Sequence, residues 1–186
     1  MGDLRTNRTY KLLKNALLEL LSKQSFDTIK VIDICDLAMI HRTTFYSHFS
    51  DKYELLDYVI KDIENELLDG FDVTKYSSSR EFYKALVMNL LEYLGANKLF
   101  FKNMLNNNYG AGIITVFHNS AIKYITDLIE KDNSSGKIFD IPTVVMSEFY
   151  SGAVTSTIMW WLKSNSKISE KVLCDYIISL IFDAQK

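Results

Sequence analysis

Residues 25–53 read SFDTIKVIDICDLAMIHRTTFYSHFSDKY. The apolar spacing fits two short helices around a tight turn. The first, Val31 to Ala38, would bury Ile34, Leu37 and Ala38. The turn falls at Met39-Ile40. The second, from His41 to Phe49, would bury Phe45 and Phe49, four residues apart on one face. Its other faces carry Arg42, Thr43, Thr44, Tyr46, Ser47 and His48. No carboxylate lies between Leu37 and Ser50. A helix lying in a DNA major groove needs such a donor-rich, acid-free surface, because base edges and phosphates are met with hydrogen bonds and cations.

Helical spacing continues on both sides of this stretch. Leu13, Leu17, Leu20 and Leu21 place a helix over about residues 5–23. Leu55, Leu56, Val59, Ile60, Ile63 and Leu67 line one over about 51–69. Phe82, Leu86, Leu90 and Tyr93 line one over 79–95, with Ser78-Ser79-Arg80-Glu81 as a capped start. Helices are expected at about 97–108, 113–131, 143–164 and 169–184. The loop Asp132-Asn133-Ser134-Ser135-Gly136 separates the second and third of these. Ser169 caps the last, with Val172, Leu173, Tyr176, Ile177, Leu180 and Ile181 as its apolar face. The 186 residues hold only 7 Gly and 1 Pro, where average usage gives roughly 12% for the two together. So few turn formers disfavour sandwiches, barrels and Gly-rich nucleotide folds. The expectation is an all-α chain of about nine helices. Residues 1–65 form a three-helix helix-turn-helix domain with its motif at about 30–49, and residues 66–186 form a larger helical domain.

The stretch resembles the DNA-binding domain of the TetR family of bacterial transcriptional regulators. The resemblance rests on Phe26-Asp27-Thr28-Ile29, on Ile34 with Ala38, and above all on the run from Thr44 to Leu56, T-F-Y-x-H-F-x-x-K-x-x-L-L. It implies a recognition helix from His41 to His48, with Arg42, Thr43 and Thr44 toward bases or nearby phosphates and Ser47 on the same donor surface. It further implies phosphate contacts from Tyr46, His48 and Lys52, and backbone contacts from Thr28 and Lys30. Two positions depart from the family pattern. Met39 stands where Gly is preferred, at a turn position that tolerates positive φ. His41 stands where Ser or Thr usually caps the recognition helix. The end of the chain, with Trp161-Leu162 before a last amphipathic helix, is similar to the C-terminal region found in low-GC Gram-positive regulators.

Charge alone does not point to DNA. The formal net charge is −2, from 21 basic and 23 acidic residues. Binding needs a local basic patch, however, not a basic protein. Arg5, Arg8, Lys11 and Lys14 occur with no acid among residues 5–14.

Other functions find little support. His41, His48 and His118 have no metal-ligand spacing. Cys35 and Cys174 form no disulfide framework. No catalytic or phosphate-binding signature occurs, so neither an enzyme nor a cofactor is expected. The N-terminus lacks a signal-peptide apolar region and no segment is long enough to span a bilayer, which fits a cytoplasmic protein.

The resemblance therefore implies a homodimeric, ligand-responsive repressor on a palindromic operator. The dimer is expected through the helices at about 143–164 and 169–184, where Ser151, Gly152, Ala153 and Ser156 allow close helix approach. Phe82, Tyr83, Phe100, Phe101, Tyr109, Phe117 and Trp160 either line a pocket for a small apolar or neutral effector or fill a core. The alternative is a coactivator that answers to a protein partner, of the dihydroxyacetone-kinase operon activator type.

Overall fold

The computed structural model describes residues 2–69, 71–108, 112–134 and 141–183. Within them lie nine α-helices and no strand: α1 (Gly2–Leu21), α2 (Val31–Ala38), α3 (Arg42–Tyr46), α4 (Lys52–Leu68), α5 (Ser79–Ala96), α6 (Lys98–Asn107), α7 (Gly112–Ser134), α8 (Thr143–Lys163) and α9 (Glu170–Phe182). Short 3-10 turns occur at Phe26–Thr28 and Val73–Lys75. The expected all-α class and helix number hold. By contacts the chain divides into Met1–Glu66 with Asn103–Ile113, and Leu67–Lys102 with Ile114–Lys186. The division thus falls inside α4 and α6 and within the first turn of α7.

In the first unit, Leu13, Leu17 and Leu21 of α1 are buried with Phe26, Ile29, Ile34, Ala38, Phe45, Phe49, Leu55, Leu56 and Val59. Two expectations need correction here. Leu37 is 39% exposed, and Cys35 takes its place in the core beside Ile34 and Ala38. The recognition helix is also shorter than its sequence reading. Regular helix stops at Tyr46, and Ser47 to Phe49 form a closing turn in which the His48 and Phe49 amides both bond to the Phe45 carbonyl. Phe49 remains buried despite lying outside the helix.

Capping explains how α4 starts so soon after. The Asp51 carboxylate accepts the N–H groups of Tyr53 and Glu54 at 2.8 and 2.9 Å. Glu54 reaches back to the Ser50 N–H at 2.6 Å. Orphan donors of the first turn are thereby satisfied from both directions.

In the second unit α5 packs most extensively on α9, and α8 also meets α5. The two main helices run antiparallel. Arg80 near the start of α5 grips the Asp183 carboxylate just past the end of α9, at 2.7 and 2.8 Å. Lys84 pairs with Asp175 at 2.6 Å. Gly95, near the end of α5, lies against Glu170 in the first turn of α9; an added Cβ would collide with that carboxylate unless the side chain shifted. The caps foreseen at Ser78 and Ser169 are present, accepting from Glu81 N–H and Val172 N–H.

Which faces these helices bury differs from expectation. On α5 the buried residues are Phe82, Leu91 and Leu94, while Leu86, Leu90 and Tyr93 are half-buried. On α9 they are Leu173, Cys174, Ile177 and Ile178, leaving Val172, Tyr176 and Leu180 exposed. Both helices carry apolar residues over more than one stripe, so periodicity alone does not fix which stripe turns inward.

Candidate nucleic-acid interface

The α2 helix ends at Met39, whose φ of 55° and ψ of 43° lie in the left-handed region. Among the described residues it is the one non-glycine with positive φ. Its N–H reaches the Asp36 carbonyl at 3.2 Å, and the Ile40 N–H reaches the Cys35 carbonyl at 3.0 Å. These bonds close the helix in the manner that usually calls for Gly. The Met39 side chain, 93% exposed, gains no packing in return.

His41 then adopts extended geometry and opens α3 without a side-chain cap. Its carbonyl accepts the Thr44 and Phe45 amides at 2.9 and 3.1 Å. Phe45 anchors the helix in the core. His41, Arg42, Thr43, Tyr46 and Ser47 are exposed, and Thr44 and His48 are half-buried. The Arg42 guanidinium lies 5.9 Å from the centre of the Tyr46 ring. Ser47 donates its hydroxyl to the Thr44 carbonyl at 2.7 Å, so its oxygen keeps acceptor capacity. The His48 ring meets the Tyr10 ring of α1 edge-on at 5.2 Å, and Tyr10 in turn touches Phe49 and Tyr58.

The flanking residues divide into those whose charge is open and those whose charge is engaged. Thr28 is exposed, and its hydroxyl donates to the Ser25 carbonyl at 2.7 Å. Lys30 is exposed at the start of α2, where its main-chain N–H is taken by the Asp33 carboxylate at 2.8 Å. Lys52 is half-buried, and its ammonium donates to the carbonyls of Phe26, Asp27 and Ile29 at 2.8, 3.1 and 2.8 Å. Lys14 likewise leaves the basic end of α1, pairing with Asp62 at 2.6 Å and Glu66 at 2.8 Å on α4. Burial pulls its ammonium pKa down, but the hydrogen bonds it donates to both carboxylates, with their negative charge, outweigh this and leave it above its ordinary value. Arg8 and Lys11 remain exposed. The Arg5 side chain lies outside the described residues.

Of the aromatics named for an effector pocket, Phe82 and Tyr83 meet each other at 5.7 Å, in a cluster with Tyr76 and Phe182. Phe100 and Phe101 meet at 5.1 Å in a second cluster with Tyr93. Trp160 is 52% exposed; its neighbour Trp161 is buried and donates its indole N–H to the Ile168 carbonyl. Tyr109 and the Phe117 side chain lie outside the described residues. His118 Nδ1 sits 3.4 Å from the Ser151 hydroxyl, and Ser151 is fully buried within the chain, so unlike Ala153 and Ser156 it does not lie on the expected outer face of α8. Among the described residues no group of three or more His, Cys, Asp or Glu is placed to hold a metal ion. No helix among them is long and apolar enough to cross a membrane.

Residues 81–183 match the TetR-type family described as a transcriptional regulator C-terminal region. The chain belongs to the TetR family of transcriptional regulators. The TetR fold extends over both units: a TetR regulator of Streptococcus agalactiae superposes with a TM-score of 0.69 at 22% identity over 97% of each chain. A TetR-family structure from Syntrophomonas wolfei superposes with a TM-score of 0.72 at 13% identity, over 94% of this chain and 93% of that one. In sequence, this TetR-family chain is 27% identical over 127 residues to the dhaKLM operon transcriptional activator DhaS of Lactococcus lactis. That match takes in 67% of this chain and 65% of the activator's own length.

Proposed function

We propose that the protein is a homodimeric, ligand-responsive repressor that binds a palindromic DNA operator from the cytoplasm. The observation that carries this reading is the surface of α3. Arg42, Thr43 and Tyr46 stand exposed on a helix pinned by the buried Phe45, with Ser47 exposed in the turn that closes it and no carboxylate among them. In this reading Arg42, Thr43 and Thr44 meet base edges, while Tyr46, His48, Thr28 and Lys30 meet the phosphate backbone. His41 and Ser47 complete the donor set.

The outer faces of α8 and α9 favour a dimer. Val145, Phe149, Ala153, Ser156 and Trp160 on α8 are exposed, as are Val172, Tyr176 and Leu180 on α9. Gly152 has open space where a side chain would stand. Small residues between large apolar ones allow two copies to approach closely. A two-fold axis through these helices pairs the recognition helices at roughly 34–36 Å or a multiple in step with the duplex. An apolar or neutral effector bound in the second unit shifts the protein only if it prefers the geometry that releases DNA.

A second reading, a coactivator answering to a protein partner, is favoured by the likeness to the dhaKLM operon activator. Selection of bound sequences from random duplex DNA, followed by binding assays with candidate small molecules, separates the two. The repressor reading expects a palindrome and release by a small molecule. A palindrome whose occupancy answers only to a protein partner favours the second. No enriched sequence contradicts both.

A further inference from the structure

We propose that Lys52 is a positioning residue of the DNA-binding unit and not one of its phosphate contacts. Its ammonium has three donors and no acceptor. All three are matched by carbonyls of one short segment: Phe26 at 2.8 Å, Asp27 at 3.1 Å and Ile29 at 2.8 Å. The same ammonium lies 4.7 Å from the centre of the Phe26 ring and 5.5 Å from that of Tyr53. Those two rings meet edge-to-face at 5.2 Å. The charge is thus enclosed by three carbonyl dipoles and two aromatic rings.

The segment it grips is the 3-10 turn that delivers the chain into α2. That turn is otherwise closed by the Thr28 N–H to Ser25 and the Ile29 N–H to Phe26, at 3.0 and 3.2 Å. A carbonyl oxygen has two lone pairs, and a cation at the end of so short a helix takes up acceptor capacity the turn itself leaves over and meets the negative end of the carbonyl dipoles. Lys52 thereby fixes the start of α4 against the turn that presents Thr28 and Lys30. Reaching a phosphate instead would break three charge-assisted hydrogen bonds to gain one contact.

Resting as it does on the DNA-binding reading, this role is tested in two arms with the full chain. In the free protein, amide hydrogen exchange is read at Thr28 and Ile29 in wild type, Lys52→Met and Lys52→Arg. With a duplex selected by the wild type, affinity is measured at several salt concentrations well below the unfolding temperature, with Lys30→Met as the phosphate-contact control. A guanidinium keeps the charge but is planar and larger, and does not reproduce three bonds from one tetrahedral nitrogen.

Faster exchange in both Lys52 variants is expected, together with binding weaker by about tenfold, the order of one lost charged hydrogen bond. The slope of log affinity against log salt should stay that of the wild type. A phosphate contact gives the opposite pattern: the slope falls by about 0.9 per contact, twice that for a dimer, and Lys52→Arg keeps wild-type affinity. That result, or faster exchange with unchanged affinity, overturns the proposal. Should Lys52→Met fail to fold, Lys52→Arg carries the test. A wild type that binds no duplex removes the DNA reading, and the exchange arm still decides whether the ammonium holds the turn.

Discussion

The Asn108 carboxamide oxygen accepts the main-chain N–H of Phe26 at 2.7 Å. Its nitrogen donates to the Leu21 carbonyl at 3.3 Å and the Met104 carbonyl at 2.8 Å. One side chain, 1% exposed, therefore joins the end of α1, the turn before α2 and the last turn of α6. Its neighbour Asn107 adds a bond to the Ser22 carbonyl at 2.8 Å. Replacing Asn108 by Ala leaves the buried Phe26 N–H without its acceptor, a loss of about 1–3 kcal/mol, and takes a donor from the Leu21 and Met104 carbonyls. Urea unfolding of Asn108→Ala should show a stability loss of about 2 kcal/mol or more by that measure. The exposed Asn106→Ala should show almost none.

Met39 makes the reverse prediction. A non-glycine residue in the left-handed region carries a conformational cost of about 1–2 kcal/mol. The side chain recovers little of it, being almost fully exposed. Met39→Gly should stabilise the protein by about 0.5–1 kcal/mol once the greater freedom of unfolded Gly is set against the relief. Thermal unfolding checks this, and an unchanged or lower midpoint would count against the strain.

Lys14 predicts a pH dependence. Its folded-state pKa lies above the ordinary value of 10.5 because Asp62 and Glu66 hold the ammonium. A raised pKa means the pairing stabilises the fold fully below the unfolded value and loses that contribution as pH rises through the folded one. The α1–α4 clamp should thus be intact at neutral pH and weaken above about pH 10.5. Lys14→Met should be less stable at pH 7, and the difference from wild type should shrink on the alkaline side.

The exposed stripes of α8 and α9 predict assembly. Light scattering of the wild type should give twice the 21.5 kDa chain mass. Phe149→Glu or Leu180→Glu places a charge on a face that two copies would desolvate and should shift the protein toward monomer. Both positions are exposed within one chain, so folding of the monomer should survive. A dimer unaffected by either variant points to another interface.

These residues also show what the sequence discloses and what it hides. The helix-turn-helix was legible because its signals are local: Phe45 and Phe49 four apart, an acid-free run, and a turn position whose left-handed geometry fits Met39 poorly. The inward faces of α5 and α9 were not, because Leu90 and Leu91, or Val172 and Leu173, are equally apolar and only packing chooses between them. Asn108 falls at the end of the helix expected at about 97–108, and nothing local marks it as a buried tie, since its partners Leu21 and Phe26 lie more than 80 residues away. Lys52 matched a phosphate-contact position in the family pattern; the three carbonyls that engage it are invisible to a motif.

The claim that α3 faces DNA meets its most direct test in Arg42→Ala, assayed on a duplex selected by the wild type. A base contact from Arg42 predicts an affinity loss of about 1–3 kcal/mol with relaxed preference at one position in each half-site. Wild-type affinity and wild-type sequence preference in Arg42→Ala would contradict the assignment of α3 as the recognition helix.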